Sequence, residues 1–145
     1  MYYVYRFKDC NDEIIYIGKA KSLKGRMSNH NHLPIECYDE VRKVEYIELS
    51  NHSEGSIYEV YLINKFNPKY NKVDKRGDVI DINIPDKEWS IYPLEYCGKM
   101  LMRGYLSDLN EKYEDKAISK DELKFLLLKE NNCEFIKDDL KINLI

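Results

Sequence analysis

A polar turn, Asp9-Cys10-Asn11-Asp12, separates two apolar runs, and that pattern constrains what the start of the chain can become. Val4 and Phe7 precede the turn; Ile14, Ile15 and Ile17 come after it. Short polar side chains bond to neighbouring backbone and favour turns, whereas β-branched residues fit a pleated strand. The segment therefore reads as a β-hairpin. With Asp9 paired to Asp12, the antiparallel register sets Tyr5 directly opposite Tyr16. Opposed residues share a face, with Cβ atoms roughly 5 Å apart, so two phenol hydroxyls would meet. The chain has 13 tyrosines, and such a pair is also an ordinary cross-strand stabiliser. On these residues alone both readings stand.

The segment after the hairpin is cationic. Tyr16-Ile17-Gly18-Lys19-Ala20-Lys21-Ser22-Leu23-Lys24-Gly25-Arg26 closes the second strand and opens a helix running to about His30. Ser22 suits an N-cap, because its hydroxyl can accept from a free first-turn N–H. Gly18 permits close backbone approach at the strand end. Lys19, Lys21, Lys24 and Arg26 make this either a solvated helix start or a phosphate site. In the second case Arg26 supplies a planar fork and Lys19 a point charge. Arg26 and His30, four apart, would share a helix face.

Val41 to Leu49 alternates well enough for a third strand. Asn51-His52-Ser53-Glu54 opens a helix whose apolar stripe is Ile57, Tyr58, Tyr61, Leu62 and Phe66, with Glu59 at its edge. A carboxylate near an apolar seam costs free energy unless it is paired or binds a cation. The block Glu59-Val60-Tyr61-Leu62-Ile63-Asn64-Lys65-Phe66-Asn67-Pro68-Lys69-Tyr70-Asn71 ends this helix in a Pro-x-Tyr-Asn turn.

Taken together, these three blocks resemble the GIY-YIG nucleases. Tyr3-Val4-Tyr5 stands where the family has Gly-Ile-Tyr, with Tyr3 replacing a glycine. Tyr16-Ile17-Gly18 matches the second motif, and Glu59, Pro68, Tyr70 and Asn71 match the third in order and spacing. The run from Tyr16 to Arg26 is especially similar to the N-terminal nuclease domain of the bacterial excision-repair incision subunit. The likeness covers roughly residues 1–75. It implies that Glu59 is the single ligand of a divalent metal, Mg2+ or Mn2+. It also implies that Tyr5, Tyr16, Arg26, Lys19 and His30 form the catalytic set. His30 stands where family members have tyrosine or histidine.

Phosphodiester hydrolysis needs an activated water and relief of charge on the phosphoryl oxygens. One tyrosine would take the water's proton, with Tyr16 preferred. An ordinary phenol has a pKa near ~10, so the expectation is that Lys19, Arg26 or the metal lowers it. Arg26 would hold the scissile phosphate; His30 would orient a tyrosine or touch the phosphate. Lys19, Lys21, Lys24, Lys69 and Asn71 would contact substrate, with Asn71 also positioning the loop beside Glu59.

Charge locates this activity. The net charge is -3. Residues 1–80 hold 13 Lys+Arg and 12 Asp+Glu, and residues 81–145 hold 10 and 14, so the halves carry +1 and -4. Basic character is local, centred on residues 19–26 and on Lys65, Lys69, Lys72, Lys75 and Arg76. Because non-specific affinity comes from phosphate neutralisation, such a chain should bind DNA weakly unless a partner or a homodimer adds contacts.

The four cysteines form no CxxC, which argues against a zinc knuckle and a disulfide framework. No apolar run approaches the ~20 residues that span a bilayer, and no secretory signal opens the chain, so a cytoplasmic, intracellular protein without membrane contact is expected.

The reading is an α+β fold, with a three-stranded, mainly antiparallel sheet flanked by helices (1–78). A helical extension (79–145) comes next, for packing or dimerisation. Within it a short strand over Val79–Ile84, a loop over Trp89–Pro93 and a helix over Leu94–Asp115 are expected. A second helix starts at Ser119, which forms a capping box with Glu122. DNA is the expected substrate, in a phage, mobile-element or repair setting. The alternatives are RNA, or a non-catalytic nucleic-acid-binding subunit that kept the fold.

Overall fold

Alternation along the first strand decides which groups face which layer. In β1 (Tyr2–Lys8), Val4 points to one face, and Tyr3, Tyr5 and Phe7 to the other. The computed structural model describes residues 1–72, 80–112, 117–118 and 143–144. β1 pairs antiparallel with β2 (Ile14–Ala20) on one side and β3 (Lys43–Leu49) on the other. A fourth strand, β4 (Ser90–Tyr92), extends the sheet in the order β2-β1-β3-β4. The sheet thus has one strand more than expected, placed where a loop was foreseen. Three residues before Pro93 carry little alternation; their pairing with Val44, Glu45 and Tyr46 makes the strand.

The hairpin register corrects the sequence reading. Tyr5 lies opposite Gly18, and Tyr16 opposite Phe7. The turn is one residue longer, because the Asp9 N–H donates to the Glu13 carbonyl. The Asp9 carboxylate caps it by accepting from the Asn11 and Glu13 N–H groups. The register then shifts again at Phe7/Lys8, where Ile15 bulges out of the pairing. A one-residue slip would move a side chain to the other face, but a two-residue slip does not. Tyr5 and Tyr16 therefore still share a face, with ring centroids 6.1 Å apart.

Two cores result. One face of the sheet (Val4, Ile17, Ile47, Leu49) packs on α3 (His52–Phe66) through Tyr61, Leu62 and Ile63. Asn51 caps this helix, accepting from the Glu54 N–H. Its buried side is Gly55, Glu59, Tyr61, Leu62 and Ile63, whereas Ile57 and Phe66 of the expected stripe are exposed. Glu59 thus lies on the buried side and not at its edge. The opposite face packs on α1 (Leu23–Ser28), α2 (Ile35–Glu40) and α4 (Arg103–Lys112). Ser22 caps α1 as expected, accepting from the Gly25 N–H at 3.2 Å.

The long helix expected from Leu94 is broken into a 3-10 turn (Leu94–Tyr96) and α4. Between them the chain presses on α1: Gly98 N–H donates to the Met27 carbonyl, and a Cβ on Gly98 would lie 2.1 Å from the Ser28 oxygen. Leu94, Leu101, Met102 and Leu106 are buried in the same core as Tyr5. Residues 80–84 form no strand; Ile80 and Ile84 pack on the α3 core, while Ile82 is exposed. Two short parallel strands, β5 (Ala117–Ile118) and β6 (Asn143–Leu144), pair with each other. The helix expected from Ser119, together with Lys75, Arg76, Val79 and Cys133, lies outside the described residues. Among the described residues no helix is long and apolar enough to cross a membrane, and Cys10, Cys37 and Cys97 are free thiols.

Candidate active site

β2 is an outer strand, and side chains from both faces of the sheet gather along it. Its open backbone edge is plugged by the turn after α3. Tyr70 N–H donates to the Ile15 carbonyl. The Asn71 amide then bonds Ile17 twice, accepting from its N–H at 2.9 Å and donating to its carbonyl at 2.8 Å. Unpaired strand edges need such cover. Asn71 is buried, and both ends of its amide are spent on β2. Asn67, in the left-handed region at φ 48°, ends α3 and reverses the chain to make this possible.

On the α1 side, Tyr5 is fully buried and its ring crosses the backbone at Gly18. Its hydroxyl lies 2.8 Å from His30 Nε2 and accepts from Arg26 Nε at 3.4 Å. His30, also buried, lies 2.8 Å from the Tyr38 hydroxyl through Nδ1. The Tyr16 hydroxyl is 3.2 Å from His32 Nε2, and the rings of His30 and His32 are 4.6 Å apart. On the α3 side, Lys19 donates to Ser56 Oγ at 2.9 Å and stands 3.8 Å from a Glu59 carboxylate oxygen.

Burial governs the electrostatics. It pushes the Tyr16 phenol up to about 12, the Glu59 charge adding to this while the nearby Tyr5 hydroxyl and the charge of Arg26 oppose it. Burial also raises Tyr5 far above the ordinary phenol value, with Tyr16 adding and Arg26 opposing. The expectation that Lys19 or Arg26 brings a phenol down is thus corrected: desolvation of the phenolate outweighs the nearby guanidinium. His30 is held down to about 3 by burial, then by His32 and Arg26, so its ring is neutral.

Tyr5, Tyr16, Arg26 and His30 form one cluster, and Lys19 with Glu59 a second, coupled to the first through the charge of Glu59 on Tyr16. Lys21 and Lys24 are exposed at the start of α1, with Lys21 lining a shallow cavity of about 350 Å³ shared with Ser22, Gly25, Arg26 and Asn29. Lys69 instead pairs with Glu40 at 2.7 Å, and Tyr70 donates to the same carboxylate. Sequence reasoning missed Tyr38, His32 and Ser56. His32 lies two residues past His30 and was open to notice; Tyr38 reaches the site only because α2 folds back over His30.

The family model of the UvrC-like GIY-YIG domain matches residues 3–72. The chain belongs to the GIY-YIG nuclease family. It is 38% identical over 78 residues to UvrABC system protein C of Pediococcus pentosaceus, a match covering 50% of this chain and 13% of that protein. The chain therefore matches only a small part of that relative's length. Among solved structures it is similar to point mutants of the GIY-YIG N-terminal endonuclease domain of UvrC from Thermotoga maritima, bound to a catalytic divalent cation. One is 35% identical, with 49% of this chain and 82% of that one covered and a TM-score of 0.43. A second is 36% identical over the same shares, also at 0.43.

The GIY-YIG residues suit a hard, oxygen-seeking cation. Such ions keep several waters and need only one or two carboxylates, and Glu59 is one carboxylate held on the buried side of α3. Among the described residues no group of three or more His, Cys, Asp or Glu could hold a metal ion.

Proposed function

We propose that this protein is a divalent-metal-dependent endonuclease that hydrolyses phosphodiester bonds in DNA. The observation that carries the reading is the convergence of Tyr5, Arg26 and His30 in one hydrogen-bonded cluster against which the Tyr16 ring packs, with the Glu59 charge felt at Tyr16. Glu59 would hold Mg2+ or Mn2+, which when bound supplies positive charge beside the Tyr16 phenol and the phosphate. Tyr16 is the half-buried phenol and Tyr5 the fully buried one. Tyr16 is therefore the group that reaches water and takes its proton, and Tyr5 supports it from behind. Arg26 neutralises charge that builds on the phosphoryl oxygens, where one such contact commonly contributes ~3–4 kcal/mol. Lys19 holds Glu59 in place and, with Lys21 and Lys24, faces the phosphate backbone. Asn71 positions β2 and not the substrate. Lys69, tied to Glu40, is at most a peripheral contact.

The relatives' role in the UvrABC system favours repair over a phage or mobile-element setting, and DNA as substrate implies an intracellular site. Residues 1–78 carry the chemistry and residues 79–145 serve as the packing extension. Supercoiled plasmid, single-stranded DNA and RNA incubated with Mg2+, with and without chelator, test the proposal. Nicking of plasmid that chelator abolishes and Glu59→Gln lacks is expected. Binding without cleavage under every divalent ion would make the protein a non-catalytic nucleic-acid-binding subunit, and cleavage confined to RNA would change the substrate.

A further inference from the structure

The proposed mechanism leaves a neighbour of the Tyr16 hydroxyl unused. That hydroxyl lies 3.2 Å from His32 Nε2, with the two ring centroids 6.0 Å apart and the planes inclined at 68°. A phenol gives up its proton near pH ~10, whereas an imidazole nitrogen takes one near ~6.5. The hydrogen bond is therefore strongest with the Tyr16 O–H donating and a bare Nε2 accepting. A hydroxyl oxygen that donates in this way keeps both lone pairs for other donors. The Tyr16 oxygen can then accept from a water molecule while its own proton points at His32.

The surroundings of the two histidines divide their roles. His30 is buried, with its ring nitrogens 2.8 Å from the Tyr5 and Tyr38 hydroxyls, so a proton delivered to it would be shut in. His32 is exposed on the segment between α1 and α2, and its ring exchanges protons with bulk water. The titratable and charged groups that face His32 are Tyr16 from β2, Arg26 from α1, His30 beside it and Tyr38 from α2, whose hydroxyl accepts from the adjacent Leu33 N–H. Arg26 stays charged, His30 stays neutral down to about 3, and burial raises both phenols. Between pH ~4 and ~9 only His32 of this group changes charge. Partial desolvation, and then the Arg26 charge, hold it below the ordinary imidazole value, so at neutral pH it is free to accept a proton.

We propose that His32 is a positioning residue of this site, the proton acceptor behind Tyr16 that acts through the phenol and not on the substrate. Its catalytic part rests on the endonuclease reading above; the direction of the hydrogen bond does not. As the water oxygen bonds to phosphorus, one water O–H breaks and that proton goes to the Tyr16 oxygen. The Tyr16 O–H breaks in the same step, and its proton forms an N–H bond at His32 Nε2. The P–O bond to the leaving oxygen breaks; that oxygen keeps the electron pair and takes a proton from solvent. His32, now an imidazolium, returns its proton to bulk water. Tyr16 never has to stand as a phenolate, which with a pKa pushed up to about 12 would be about 10⁻⁵ of the population at pH ~7.

The test uses the full-length protein. With ¹⁵N-labelled histidine, NMR reads which ring nitrogen of His32 carries the proton. At neutral pH Nε2 should be unprotonated, and Tyr16→Phe should return the ring to a mixture of tautomers. In parallel, kcat for Mg2+-dependent plasmid nicking is measured against pH for wild type, His32→Ala and His32→Phe, the last keeping a ring against Tyr16. The wild-type rate should fall as pH drops through an inflection below ~6.5. Both variants should lose that inflection and about 10²-fold in kcat, with KM for DNA in place. Free imidazole should restore part of the rate to His32→Ala but not to His32→Phe, whose ring fills the space. An Nε2–H tautomer in the wild type overturns the proposal whatever the protein cleaves. So do variants with the wild-type rate, and variants that lose rate but keep the wild-type pH profile and gain nothing from imidazole, since His32 would then only pack on Tyr16. A wild-type protein that cleaves nothing yet shows a bare Nε2, lost in Tyr16→Phe, refutes the endonuclease reading and the catalytic role with it, and leaves the direction of the hydrogen bond standing.

Discussion

Gly18→Ala isolates the close approach on which the two-tyrosine site depends. A Cβ at residue 18 would lie 2.5 Å from both Cζ and the hydroxyl of Tyr5, and 3.0 Å from Cε2 of Tyr16. Carbon atoms pack comfortably at roughly 3.5–4.0 Å, so the Tyr5 ring has to retreat by ~1 Å or more. It has little freedom to do so, being fully buried with its hydroxyl held by His30 at 2.8 Å. Overpacking of this kind costs ~1–3 kcal/mol, and a buried hydrogen bond left unmade adds ~1–3 kcal/mol, giving a loss of about 2–6 kcal/mol. A ~1 Å misplacement of a reacting group lowers turnover by roughly 10²-fold, so activity should fall even at temperatures where the variant stays folded. Urea unfolding at constant slope gives the first quantity and plasmid nicking the second. Gly25→Ala is the internal control: its Cβ would meet only the Ser22 side chain, at 3.2 Å, and alanine gains up to ~1 kcal/mol of helix propensity over glycine. A Gly18→Ala protein within ~0.5 kcal/mol of wild type and fully active would refute the argument that β2 needs glycine there because Tyr5 crosses it.

Four further outcomes are expected. Glu59→Gln keeps side-chain size and should abolish Mg2+-dependent nicking while leaving circular dichroism unchanged; retained nicking at ordinary Mg2+ removes Glu59 as the metal ligand. Arg26→Ala should lower kcat by about 10²–10³-fold with a smaller loss of affinity for uncut DNA, and equal losses in both would make it a binding residue only. Tyr16→Phe keeps the ring and removes the hydroxyl, so near-complete loss of activity is expected, with a lesser loss in Tyr5→Phe; full activity in both returns the pair to a packing role. His30 is neutral when folded, with its pKa held down to about 3, so between that value and the unfolded ~6.5 the unfolded chain binds more protons and stability rises with pH. Its contribution is complete above ~6.5 and drains away as pH falls toward 3, at a slope of up to ~1.4 kcal/mol per pH unit, and urea titrations of wild type and His30→Gln should differ by that slope.

How much of this was legible depended on whether a feature was local. The hairpin, the Ser22 cap and the convergence of Tyr5 with Tyr16 rest on residues a few positions apart, and the sequence carried them. The register itself was misread by two residues, one from the longer Asp9–Glu13 turn and one from the bulge at Ile15. The face assignment survived because side-chain direction along a strand repeats every two residues. The apolar stripe of α3 was misplaced because Ile57 and Phe66 are hydrophobic yet exposed, whereas Glu59 and Gly55 face inward. Hydrophobicity alone cannot mark a face that buries a working carboxylate. β4, Tyr38 and the phenol pKa values depend on contacts distant in the chain or on desolvation, neither of which has a signature in residue order.

The acidic second half shows why charge and packing must be argued separately. Its net charge of -4 makes it a poor phosphate ligand, but that does not make it dispensable. Leu94, Leu101, Met102 and Leu106 are buried against the layer that holds Tyr5 and His30. Each such side chain contributes ~1.5–3 kcal/mol on burial, so the four together approach ~6–12 kcal/mol, comparable with the whole stability of a domain at ~5–15 kcal/mol. Gly98 adds a specific link, since its N–H satisfies the Met27 carbonyl at the end of the helix that carries Arg26. A chain ending at Asp78 should therefore be unfolded or molten at room temperature, despite containing every motif of the nuclease family. A cooperative thermal transition and retained nicking by that shortened chain would show that these contacts add little, and that the first half stands alone.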